Sequence, residues 1–206
     1  MLKIWGRTNS SNVQKVLWCC AEMGLEYERV DAGMQFGVND TPEYRAMNPN
    51  GLVPTIDDDG FVLWESHAIV RYLGKKHGAG KVWPHDPRAN ADADRWMDWY
   101  HTTLWPNMGP VFWNLVRTAP EKRNMELVAE NTTKLAANFA IVDAALKDRD
   151  YLAGSSFSMG DIPMGIAAYR WFELPLERPQ LPNFERWYQR VCERPAYKKH
   201  CMLPLT

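Results

Sequence analysis

The sequence predicts two domains of different class: a small mixed α/β unit over residues 1–80, then an all-helical bundle over residues 88–206. Three observations predict it. Strand and helix periodicities alternate at the start of the chain. A stiff two-proline connector follows, Trp83-Pro84-His85-Asp86-Pro87-Arg88. From Ala89 onward only helical spacing is found.

In the α/β unit, Leu2 and Ile4 alternate with Lys3 and Trp5, the period of a short strand. A polar loop, Arg7 to Asn12, opens onto a helix. Its apolar face is Val13, Val16, Leu17 and Cys20, at i, i+3, i+4 and i+7, and Gly24 ends it. Tyr27 to Asp31 reads as a second strand. Ala32 to Met47 is looser, with room for at most a short helix. Val53–Asp57 and Phe61–Trp64 flank Asp58-Asp59-Gly60, whose Asp-Gly step supplies the positive φ of a hairpin turn. Ser66 opens a final helix that turns Ile69, Val70 and Leu73 inward. This is a mixed unit of about thioredoxin size. Past the connector, helices are predicted through Trp96, Trp99 and Tyr100, from about Glu121 to Leu146, from Asp161 to Phe172 and from Asn183 to Arg194. Pro106 and Pro110 are expected to kink or split the first of them.

The composition excludes several classes of function. Basic and acidic side chains number 24 and 25, a net charge of -1, which exerts no general pull on nucleic acid or an anionic membrane. No window reaches the roughly 18 apolar residues of a spanning helix. Met1 to Arg7 reads as the first strand and not as a secretory leader. The four cysteines form no C-x-x-C and suit free thiols in a reducing, cytoplasmic setting. The five histidines show no ligand spacing, so a metal site has no support.

Three segments could carry chemistry, and each has a plain structural alternative. In Asn48-Pro49-Asn50-Gly51-Leu52-Val53-Pro54, a cis Val53–Pro54 bond would turn the Val53 amide and carbonyl out of the sheet, toward an extended peptide. The alternative is a simple turn before an edge strand. Glu65-Ser66 stands where a strand gives way to a helix, whose N-terminus attracts a carboxylate. Ser66 can donate a hydroxyl proton and Glu65 can accept from an ammonium, as an α-amino-acid head group requires. The alternative is an N-cap serine after an exposed acid. Ser10, Ser11 and Asn12 precede the first helix, where one of them is expected to cap. No histidine is near in sequence to build a Ser-His-Asp nucleophile, so a hydroxyl here would serve as a donor.

Taken in order, these pieces resemble the cytosolic glutathione transferase superfamily. The resemblance continues through Trp64-Glu65-Ser66 with Ala68 to Leu73, the proline connector, Trp96-Met97-Asp98-Trp99, Ser158-Met159-Gly160-Asp161-Ile162, and Leu181-Pro182-Asn183-Phe184-Glu185-Arg186-Trp187. The opening Gly6 to Val13 is most similar to the bacterial serine-type branch, near theta- and phi-like enzymes.

The resemblance implies a thioredoxin-like N-terminal domain, a helical C-terminal domain and a homodimer. It implies glutathione as co-substrate, with no metal. Val53, held by cis-Pro54, would pair with the cysteinyl backbone of glutathione. Glu65 and Ser66 would bind the γ-glutamyl end, and Ser10 would donate to the thiolate. Asn12 matches a residue that contributes in asparagine-dependent bacterial relatives. Ser158 and Asp161 match the family's folding motif, a capping box. Trp105, Trp113 and Arg117 would line the pocket for a small electrophile. Two departures stand out. Asn39-Asp40 occupies the region where phi-like members carry basic residues for the glycine carboxylate, and position 10 is not the cysteine of mixed-disulfide branches. The function implied is thiolate attack on an electrophile, in detoxification. The rivals are an Asn12-dependent disulfide or peroxide reductase and a non-catalytic binding module of the same fold.

Overall fold

The computed structural model describes residues 1–206, which divide into two compact units, Met1–Trp83 and Pro84–Thr206. No helix is long and apolar enough to cross a membrane.

The first unit runs β1 (Leu2–Trp5), α1 (Ser11–Met23), β2 (Glu28–Val30), α2 (Pro42–Met47), β3 (Thr55–Asp58), β4 (Phe61–Trp64) and α3 (Ser66–His77). The sheet order is β2-β1-β3-β4, with β1 parallel to β2 and antiparallel to β3, and β3 antiparallel to β4. The hairpin forms as the Asp-Gly step predicts, with φ of 53° at Asp59 and 91° at Gly60. Gly24 ends α1 in the left-handed region, its N–H capping the Ala21 and Cys20 carbonyls. The predicted apolar faces meet: α1 packs on α3, and Val13, Val16, Ile69, Val70 and Leu73 are fully buried beside Ile4. The loose stretch holds a 3-10 turn, Met34–Phe36, as well as α2, which is six residues long.

The second unit contains α4 (Pro87–Trp99), α5 (Trp105–Phe112), α6 (Met125–Ala145), α7 (Asp161–Glu173), α8 (Pro182–Cys192) and α9 (Pro195–His200). At Pro106 and Pro110, expected to kink or split the first helix, the chain stays helical but changes its hydrogen-bonding pattern. Between α4 and α5 lies a π-helical stretch, Tyr100–Leu104, and after α5 another, Trp113–Arg117. Proline lacks an N–H and crowds the carbonyl four residues back. A widened turn relieves both problems, and side chains supply donors along the run. The Asn107 and Asn138 amides donate to the Thr103 carbonyl at 2.9 and 3.3 Å, and the Asn114 amide donates to the Pro110 carbonyl at 3.0 Å. The segment expected to start a helix at Glu121 is a separate 3-10 turn, Pro120–Lys122. α6 begins after Asn124, whose side chain caps it.

Aromatic stacking builds the core of this unit. Phe139 of α6 lies 4.7 Å from Phe184 of α8 and 4.8 Å from Trp171 of α7, centroid to centroid. Gly160 lets α7 approach α4, since a Cβ there would stand 2.7 Å from the Ala93 carbonyl oxygen. Asp161 is fully buried. Its Oδ1 accepts from Leu152 N–H (3.0 Å) and Trp187 Nε1–H (2.9 Å), and its Oδ2 from Ser158 N–H (2.9 Å) and the Ser158 hydroxyl (3.2 Å). Burial pushes this carboxyl up to about 6 against those four bonds. Only half of the predicted capping box is present. The carboxylate reaches back to Ser158 N–H, but the serine hydroxyl donates to the carboxylate and does not accept from the helix.

Candidate active site

The three predicted segments leave the same end of the sheet. Trp5, the last residue of β1, pairs with Thr55, the first of β3, and Thr55 pairs with Trp64, the last of β4. The Arg7–Asn12 loop, the Val53–Pro54 step and Glu65-Ser66 therefore adjoin three neighbouring strand ends.

The Val53–Pro54 bond is cis, and Val53 stands just ahead of Thr55, where pairing with β1 begins. A buried polar network holds the loop before it. The Tyr44 hydroxyl donates to the Leu52 carbonyl (2.7 Å) and lies 2.8 Å from Thr55 Oγ1. The Asn48 amide donates to the same carbonyl (2.9 Å) and to Thr55 Oγ1 (3.1 Å). Each hydroxyl has one proton, so Thr55 must donate to Tyr44 while Tyr44 donates to Leu52. Burial pushes the Tyr44 phenol up, its bonds to Thr55 and Asn48 acting the other way, and it stays a neutral donor near pH 7. Asn39, in the region where phi-like members often carry basic residues, donates its amide to the Gly51 carbonyl at 2.7 Å and so braces this loop. Gly51 has φ 62°, and a Cβ there would lie 3.0 Å from the Asn39 carbonyl oxygen.

Glu65 takes the N-cap position of α3 at φ 73°, a conformation few L-residues adopt, and its side chain is exposed and makes no capping bond. Ser66 is the first helical residue, not the cap, and is buried. Ser10 is the N-cap of α1. Its carbonyl accepts from Gln14 N–H at 2.8 Å, but its side chain makes no capping bond. The Ser10 hydroxyl is thus not spent on the helix, although the residue is only 8% exposed.

Asn12, in the first turn of α1, presents Oδ1 to Lys15 Nζ at 3.0 Å. Lys15 is 2% exposed, and its Nζ also lies 3.4 Å from Ser66 Oγ and 3.1 Å from His67 Nε2. Two predicted site residues, one from each helix, therefore converge on a buried ammonium that sequence reasoning passes over. The only hint is a lysine set among Val13, Val16 and Leu17, three residues after Asn12. Burial pushes the neighbouring Cys20 thiol up to about 12 and the Cys19 thiol up as well, which keeps both protonated near pH 7.

In the second unit, Trp105 is half-buried and stacks on Tyr100 at 5.6 Å. Trp113 is exposed, and the Arg117 guanidinium lies 5.9 Å from the Phe112 ring centroid. A cavity of about 540 Å³ is lined by Arg95, Trp96, Trp99, Thr102, Ile141 and Ala145, and by none of the three residues expected to face an electrophile.

A thioredoxin-like unit with a cis-proline loop, followed by an all-helical unit, is the architecture the sequence resemblance implies. Comparison with known proteins agrees. The N-terminal domain model of glutathione S-transferases matches residues 9–76, and the C-terminal domain model matches residues 104–195. Glutathione S-transferase GstB of Escherichia coli (strain K12) is 41% identical over the whole of both chains. The theta class glutathione S-transferase of Xanthomonas axonopodis pv. citri, solved with glutathione bound, superimposes with a TM-score of 0.95. It is 48% identical and covers 100% of this chain and 99% of its own. Glutathione transferase F7 of Populus trichocarpa, at 25% identity, has a TM-score of 0.89 and covers 99% of this chain and 100% of its own. The chain belongs to the glutathione S-transferase family.

Proposed function

We propose that this transferase binds glutathione across the three strand ends of its first unit, ionises the thiol beside Ser10 and delivers the thiolate to a small electrophile. The observation that carries the reading is the register Trp5–Thr55–Trp64, which aligns Ser10, Val53 and Ser66 at one end of the sheet. Adjacent strands lie about 4.8 Å apart, so β4, which leads into Ser66, and β1, which leads toward Ser10, are about 10 Å apart, with β3 and Val53 between them.

In this reading the γ-glutamyl carboxylate meets Ser66 and the start of α3, where the helix favours an anion, and Glu65 accepts from the ammonium. The cysteinyl backbone pairs with Val53 beside cis-Pro54, which leaves the sulfur toward Ser10 and Asn12. A free thiol titrates near 8.5, so lowering it by two units requires about 2.7 kcal/mol of preference for the thiolate. One or two hydrogen bonds to a charged acceptor, at about 1.5–3 kcal/mol each, suffice. Trp105, Trp113 and Arg117 receive the electrophile. The protein works as a cytoplasmic homodimer, the first unit of one subunit against the second unit of the other, in detoxification.

Calorimetry tests the reading. Wild type should bind glutathione at millimolar concentration or below, and Glu65→Ala should weaken that binding about tenfold, as the loss of one charged hydrogen bond would. Absence of binding would sink the assignment. Turnover of disulfides or peroxides but not of electrophiles, abolished by Asn12→Ala and not by Ser10→Ala, would replace it with the reductase.

A further inference from the structure

We propose that Lys15 is a positioning residue that turns Asn12 and Ser66 into hydrogen-bond donors facing glutathione. The inference rests on the glutathione site proposed above.

A lysine ammonium carries donors only. Any polar atom within hydrogen-bond reach of it must therefore offer a lone pair. Asn12 Oδ1 at 3.0 Å, His67 Nε2 at 3.1 Å and Ser66 Oγ at 3.4 Å are among them. The contacts to Asn12 and Ser66 each fix a proton. Asn12 must point its oxygen at Lys15, so its NH2 turns away from the ammonium. Ser66 spends a lone pair on Lys15, which leaves its O–H to donate elsewhere. At His67 the contact is through Nε2, which accepts from the ammonium when the ring proton is on Nδ1.

Without that ammonium, both Asn12 and Ser66 could reverse. An asparagine amide is equally able to turn its carbonyl toward a thiolate, where it would repel, and a serine hydroxyl can rotate to accept. Lysine is rarely so buried unless its donors are used. Here it ties Asn12 of α1, beside the thiol, to Ser66 of α3, beside the γ-glutamyl carboxylate. One side chain thus sets donor polarity at both anionic ends of the ligand. It also adds positive potential at the start of α3, where the helix already favours an anion.

The test uses the full-length protein with glutathione itself as the probe. Binding is read by calorimetry, and thiol ionisation by thiolate absorbance against pH. Lys15→Met should weaken glutathione binding about tenfold and raise the bound thiol's pKa by about one unit, the effect of misdirecting one or two charged hydrogen bonds. Lys15→Arg keeps the charge and the donors, and should restore both to within about threefold. In an Asn12→Ala/Ser66→Ala background, Lys15→Met should change the thiol pKa by less than about 0.3 unit, because the groups it orients are gone.

Should Lys15→Met fail to fold, Lys15→Gln serves instead. Its amide accepts as well as donates, and the same losses are expected. A folded Lys15→Met or Lys15→Gln protein with unchanged affinity and thiol pKa overturns the inference while leaving the glutathione site standing. A full additional loss in the double-alanine background overturns it too. A wild-type protein that binds no glutathione overturns the site itself, and the inference with it.

Discussion

Ser10 stands at the N-cap of α1, yet the helix takes only its carbonyl. Serine is far too weak an acid to serve as an ionised base, so what it offers a thiolate is a donated proton. Ser10→Ala should therefore raise the pKa of bound glutathione by about one to two units, the loss of a charged hydrogen bond of about 1.5–3 kcal/mol. Turnover at about pH 6.5 should fall more than at about pH 9, where the thiol ionises unaided. An unchanged pH profile in Ser10→Ala, with a shifted one in Asn12→Ala, would move the role to Asn12. The positions of Ser10, Val53, Glu65 and Ser66 at element junctions are legible in the sequence, whereas their proposed roles come from the family resemblance. Lys15 is not legible in this way. Its partners Ser66 and His67 lie about 50 positions away, and a lysine near an apolar stripe ordinarily reads as the solvated side of the helix.

At the scale of elements, a buried hydrogen-bond network holds the loop that carries Val53. Tyr44→Phe removes the acceptor of the Thr55 proton but leaves the Leu52 carbonyl bonded to Asn48. It should cost about 1–2 kcal/mol of stability in urea unfolding. It should also weaken glutathione binding while leaving the bound thiol's pKa unmoved, since no donor to the sulfur is lost. A raised thiol pKa in this variant would contradict the separation of backbone docking from thiol activation. The Asn-Pro-Asn-Gly run marks a turn, but nothing in it announces that α2 exists to deliver Tyr44. A six-residue helix is too short for its periodicity to stand out. The prolines of α5 act in a way their spacing does not specify. Sequence rules price a proline against a regular α-helix, whereas here the backbone changes to π turns and asparagine side chains fill in.

At the scale of the molecule, Asp161 joins the Leu152 and Ser158 backbone and the Trp187 indole of α8 through one carboxylate. Asp161→Ala would leave three buried N–H groups without an acceptor, at about 1–3 kcal/mol each. It should destabilise the second unit by at least about 3 kcal/mol, read as a lowered urea midpoint by circular dichroism. Asp161→Asn, which keeps one oxygen, should cost less. Light scattering at micromolar concentration should report particles holding two 23.8 kDa chains. A single chain per particle would refute the homodimer. The two-domain division is visible in the sequence because periodicity changes at the connector, whereas the Asp161 hub gathers residues from three separate segments that no spacing rule connects.

The sheet order also has a consequence during synthesis. β1 leaves the ribosome well before its antiparallel neighbour β3, which starts at Thr55, yet it is an inner strand. At about 5–20 residues per second, that neighbour arrives on the order of 3–11 s later. Until then one flank of β1 is a row of unpaired N–H and C=O groups, a template for any strand that passes. The nascent chain, not the completed one, is where this fold is most open to pairing with the wrong partner.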